Sequence, residues 1–186
     1  MSRVLPVVLL LVAFGCCVAL RVAVGGVGVA KSYPAGLVFA ASLVVLALAA
    51  GTRVPLGWRA LGTGLIGAAI VCAPVALGRL ASLAPLHDTH GFASWLAVVT
   101  VVASAEELFL RGALYDATAR LAGPAAAVVV GAVCFALLHV PLYGWHVLPL
   151  DHAVGLVLGG LRQSTGTPAA PAVTHVLADV AGWFLR

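Results

Sequence analysis

The sequence predicts an all-α, polytopic transmembrane bundle of about seven membrane segments. Three observations carry that expectation. Of the 186 residues, 63% are hydrophobic and only 9% charged, whereas soluble domains carry about 25% charged residues. Apolar runs approaching the roughly 20 residues of a membrane helix recur along the whole chain. Glycine and proline punctuate nearly every gap between them. The mean hydropathy of +1.16 agrees.

The elements follow in order. Residues 5–24 begin as a secretory leader would, with Arg3 ahead of an apolar core. No small-x-small cleavage site follows, and the run continues across Arg21, so it reads as a retained helix. Segments 35–50 and 60–77 hold hardly any polar side chains beyond Ser, Thr and Cys. Residues 1–91 therefore read as scaffold, and 92–186 as the functional core. The fourth segment, 92–114, is uncharged until SAEELFLR, and the fifth is 124–143. The sixth, 152–161, is too short to cross about 30 Å of hydrocarbon at about 1.5 Å per residue. Its glycines suggest a tilted or broken helix packed tightly on its neighbours. The seventh is 169–185.

Ten Lys+Arg against six Asp+Glu leave a net charge of +4. The basic residues stand singly at span ends, where they set topology and meet head groups, and they form no nucleic-acid surface. A cytoplasmic N-terminus puts Arg3, Arg53, Arg59, Arg120 and Arg162 inside, against Arg21, Lys31, Arg79 and Arg186 outside, a small excess in its favour. Cys16, Cys17, Cys72 and Cys134 lie in apolar runs without zinc spacing, as buried thiols do. Abundant Ala, Val and Gly with a single lysine point to a GC-rich bacterial genome, and so to a bacterial cell membrane.

A carboxylate at the bilayer centre costs roughly 2.5–3.5 kcal/mol on the insertion scale, so two in a row need a reason. On a helix Glu107 and Arg111 are four apart and share a face, which pairs them and leaves Glu106 as the free carboxylate aimed into the bundle. The bland reading is a solvated span end. His139 in FALLHVP sits one turn after Phe135, and a lone buried histidine is commonly a satisfied core residue. His175 and Asp179 in THVLAD also share a face, as an oriented imidazole, a ligand pair or a helix–helix hydrogen bond would. Together they place a carboxylate, two imidazoles and a second carboxylate within about two turns of the midplane on three helices. That set suffices to activate water and stabilise an oxyanion, or to hold a divalent metal such as zinc through Glu106, His139, His175 and Asp179. A transporter or proton relay uses the same groups, and a non-catalytic membrane partner is a third reading. His87, Asp88 and His90 read as solvated loop, His146, Asp151 and His152 as interfacial. Asp116 and Arg120 read as a surface pair, and Trp58, Trp95, Trp145 and Trp183 as membrane anchors.

In this order on successive late spans, EELFLR, FALLH and HVLAD resemble the EExxxR, FxxxH and HxxxN motifs of the CPBP family. These are the CAAX protease and bacteriocin-processing, or Abi, intramembrane proteases. The stretch GLVLGGLRQSTGTPAAPAVTH also looks like the family's approach to its last motif, and the resemblance covers about residues 95–186. It implies that Glu106 activates the attacking water with help from His139. Glu107, Arg111 and Phe135 support them, while His175 and Asp179 stabilise the oxyanion or complete the water site. Members have been read both as metalloenzymes and as metal-independent glutamate enzymes, and the substrates implied are membrane-associated peptides or proteins. One departure is Asp179, where the family pattern has an asparagine, because an ionised carboxylate cannot donate to an oxyanion.

Overall fold

The computed structural model describes residues 3–55, 57–82 and 89–185. His87 and Asp88 lie outside them. The described residues are mostly helical, with no strand among them. α1 (Val4–Gly25) passes through a 3-10 turn (Gly26–Lys31) to α2 (Tyr33–Ala49), and α3 (Trp58–Ser82) follows. α4 (Phe92–Glu107) continues through a π-helical stretch (Leu108–Leu114) into α5 (Tyr115–Ala122). Then come α6 (Pro124–Tyr143), a short 3-10 turn (Trp145–Val147), α7 (Leu148–Thr165) and α8 (Ala169–Leu185). With α4, the π stretch and α5 counted as one rod, the described helices match the seven predicted segments.

Local chemistry starts and stops these rods. Ser32 accepts from the Ala35 N–H at 3.4 Å and Pro34 stands in the first turn of α2. Gly144 ends α6 and Gly166 ends α7 with φ of 94° and 72°, values that favour glycine.

The sixth segment differs from expectation. It is one unbroken helix of 18 residues, neither short nor interrupted. Pro149 in its first turn and the polar Asp151 and His152 extend it beyond the apolar stretch that hydropathy detects. Its glycines do pack tightly. A Cβ on Gly155 would lie 2.8 Å from Ala132 Cα, and one on Gly159 would lie 2.8 Å from Val128 Cγ1. α6 and α7 thus meet backbone to backbone, as small-residue faces permit in lipid. α3 and α8 meet likewise: a Cβ on Gly67 would lie 2.5 Å from Thr174 Oγ1, and the Thr174 hydroxyl donates to the Gly64 carbonyl at 2.8 Å.

Four stretches, Val4–Lys31, Trp58–Arg79, Phe92–Ala122 and Pro124–Tyr143, are long and apolar enough to cross a membrane, and α2 and α8 are shorter apolar helices. The outer surface carries Leu9, Val12, Leu48, Ile66 and Leu77, each more than half exposed, as lipid-facing residues are. The chain is an integral membrane protein. Its core joins α1, α2, the π stretch, α6 and α7 through Phe14, Phe39, Leu43, Phe109, Leu138 and Leu158. Phe14 stacks on Phe109 with centroids 5.4 Å apart. The four thiols are free. Cys17 is buried as expected, but Cys16 faces outward because consecutive helical residues point about 100° apart.

Candidate active site

Charged side chains are buried where α4 enters the π stretch. Glu107 and Arg111 are both essentially inaccessible, and Arg111 Nη1 donates to Glu107 Oε1 at 2.8 Å. The spacing reading of this pair holds although the helix between them changes from α to π hydrogen bonding. Such a change displaces backbone groups from regular pairing. Here Arg162 of α7 donates from Nε to the Arg111 carbonyl at 2.6 Å, and Arg111 Nη2 donates to the Gly155 carbonyl at 3.1 Å. Arg162 also binds Asp116 at 2.6 Å. Asp116 therefore pairs across to α7 and not with Arg120, contrary to the sequence reading, because α7 brings a guanidinium closer than the surface neighbour.

Glu107 Oε1 also accepts from His175 Nδ1, at 3.0 Å. His175 Nε2 then faces Asp179 Oδ2 at 3.7 Å. The imidazole is oriented by one buried carboxylate and leans on a second that is about one-third exposed. His139 sits on α6 with Nδ1 against the Phe135 carbonyl at 2.9 Å and Asp151 Oδ2 at 3.6 Å. Donation from Nδ1 to that carbonyl leaves Nε2 as an acceptor. Phe135 is buried among these groups. Its ring meets His139 edge-on at 4.7 Å and His175 at 5.2 Å, and the Arg111 guanidinium lies 4.9 Å from its centroid.

Glu106 is only 2% exposed and is not free, as the spacing argument had it. Arg21 of α1 reaches it, Nη1 to Oε1, at 3.5 Å across 85 positions of sequence. Sequence reading took Arg21 for a span-end residue. Its one visible signal was a guanidinium inside an otherwise apolar run.

These residues meet at a cavity of about 630 Å³ lined by Glu106, His139, His175, Asp179 and Arg21. Lys31 and Tyr33 line it on the side of the first turn. Trp95 and Trp183 also line it, their rings tilted by 40° with centroids 4.7 Å apart and joined by Phe92 and Phe184. Two of the expected anchors thus belong to the cavity wall. A second cavity of about 340 Å³ shares His139, His175 and Asp179 and adds His146 and Asp151, so these last two are site neighbours and more than interfacial residues. The arrangement offers a carboxylate base, an acceptor imidazole and a held imidazole around space for substrate. Among the described residues no three His, Cys, Asp or Glu side chains gather closely enough to hold an ion. His175 engages Nδ1 with Glu107 and His139 engages Nδ1 with Phe135, which leaves Nε2 of each as the nitrogen open to a ligand.

Residues 88–181, about half of the chain, match the sequence profile described as type II CAAX prenyl endopeptidase Rce1-like. No curated protein and no solved structure gives a significant match.

Proposed function

The chain belongs to the Rce1-like family of type II CAAX prenyl endopeptidases, and from that premise we propose that it hydrolyses a peptide bond of a membrane-held substrate with Glu106 as general base. The observation that carries this reading is Glu106 itself, a carboxylate 2% exposed that nonetheless lines the cavity shared with His139, His175 and Asp179. A carboxylate kept in such a place is expensive, and that cost is the mark of a functional group.

In the proposed reaction a water oxygen bonds to the carbonyl carbon while Glu106 takes its proton and the carbonyl π pair moves to oxygen. His139 steadies the water through Nε2. The tetrahedral intermediate then collapses, the C–N bond breaks, and the proton passes from Glu106 to the departing nitrogen. Glu107 holds His175 against the cavity, and Arg111 neutralises Glu107, so the imidazole is placed without reorganisation. No step uses a metal. The aromatic wall of Trp95 and Trp183 supports a substrate with an apolar portion, such as a peptide anchored in the bilayer.

The test is incubation of purified protein in liposomes with membrane-anchored peptides, prenylated and unprenylated, followed by mass spectrometry of products. The proposal expects time-dependent fragments ending at one internal bond. Folded protein that leaves every such peptide intact while conducting protons across the liposome would support the relay reading instead.

A further inference from the structure

Arg21 is more than nine-tenths buried, yet among the described residues its guanidinium makes one hydrogen bond, the 3.5 Å contact with Glu106. Its Nε has no partner, and its flat face lies over Phe39, 4.9 Å from the ring centroid. A guanidinium has five N–H groups, and leaving the buried Nε–H without a partner costs stability that packing on one ring does not restore. Lys31 and Tyr33 also line the cavity as donors, but it is the Arg21 guanidinium that contacts Glu106. Glu106 and Asp179, when ionised, only accept. His139 spends its Nδ1–H on the Phe135 carbonyl. His175 commits Nδ1 to Glu107 at 3.0 Å, while its Nε2 stands 3.7 Å from Asp179, beyond hydrogen-bond distance.

We propose that Arg21 is a catalytic residue that donates to the oxyanion of the tetrahedral intermediate. The inference rests on hydrolysis by Glu106-activated water and adds the group that receives the charge this step creates. Before attack Arg21 balances the ionised Glu106. As Glu106 takes the water proton its charge vanishes and an equal charge appears on the carbonyl oxygen. The guanidinium stands beside both positions, so one cation serves the two states in turn. Such a donor strengthens its hold as charge develops, which raises kcat more than it lowers KM.

The experiment uses the full chain in liposomes, with a hydrophobic peptide and the matching peptide phosphinate, a tetrahedral anion. Binding is read from the fluorescence of Trp95 and Trp183, which line the cavity. Arg21→Gln is expected to lower kcat about 100- to 1,000-fold, with KM changed less than threefold and phosphinate affinity lowered by a similar factor to kcat. A purely structural arginine would move substrate and phosphinate binding together. That result, or kcat within threefold of the unaltered protein, overturns the proposal. If Arg21→Gln does not fold, Arg21→Lys keeps the positive charge but loses the planar fork. At least a tenfold loss of phosphinate affinity is then expected, and unchanged affinity overturns it. Glu106→Gln, measured alongside, separates the two ideas: turnover by that variant removes the general base, while phosphinate binding still reports on Arg21.

Discussion

Glu107 takes two hydrogen bonds on one oxygen, from Arg111 and from His175, and so joins the helix that bears Glu106 to the helix that bears His175. Removing Arg111 leaves a buried carboxylate without its cation and the Gly155 carbonyl without its donor. Arg111→Ala is therefore expected to destabilise the protein by about 3–5 kcal/mol, read as a lowered thermal midpoint in detergent. A midpoint unchanged from that of the parent would refute the pairing account. Asp179 is held more loosely, at 3.7 Å from His175, and His175 keeps its orientation from Glu107. Asp179→Asn should retain turnover within tenfold, and its response to chelator should not change. A loss beyond 100-fold would give the carboxylate itself an essential role. At this scale the sequence showed the Glu107–Arg111 pair, because helical spacing is a local property. It did not show the Arg21–Glu106 contact, because nothing local relates residues 85 positions apart.

α7 is the element that ties the site to the scaffold. Its Gly155 carbonyl and Arg162 side chain hold the two ends of Arg111, and its glycines let it lie against α6. Gly155→Val sets a branched side chain against the Ala132 backbone, which cannot move aside. Overpacking of this kind costs about 1–3 kcal/mol, and turnover should fall with it because Arg111 loses its anchor. Gly160→Ala on the same helix meets nothing within 4 Å of the new Cβ and is expected to stay within about 0.5 kcal/mol of the parent. Equal effects from the two substitutions, by thermal melt and by turnover, would contradict this packing. Hydropathy located six of the seven rods well because an apolar run and its glycine or proline boundaries are local signals. It shortened α7 because a helix that begins with polar residues beside the site has no apolar signature there. The π stretch was equally invisible: nothing in LFLRGAL marks a change of helical register, and the groups that meet it, Arg162 at the Arg111 carbonyl and Thr52 beside Gly112, arrive from elsewhere in the chain.

Across the whole molecule, the motifs of residues 92–186 do not close the cavity by themselves. α1, the turn after it and the start of α2 contribute Arg21, Lys31 and Tyr33 to the wall, and α2 buries one face, Phe39, Ala40, Leu43 and Ala47, in the core. A fragment comprising residues 92–186 is expected to cleave nothing in liposomes, and turnover by it would show the first half to be scaffold alone. The division into a plain first half and a chemical second half reflects where polar residues are dense in the sequence. The cavity is assembled by packing, which composition does not record.

The central claim is that Glu106 activates water. The most direct measurement is the turnover of one membrane-anchored peptide by the purified chain and by Glu106→Gln in the same liposomes, each with and without chelator. A positioned base contributes about 100- to 10,000-fold. The account predicts a loss of that size in the Gln variant, with the fold and peptide binding preserved, and no effect of chelator on the unaltered chain. Cleavage by Glu106→Gln at the rate of the unaltered chain would contradict it.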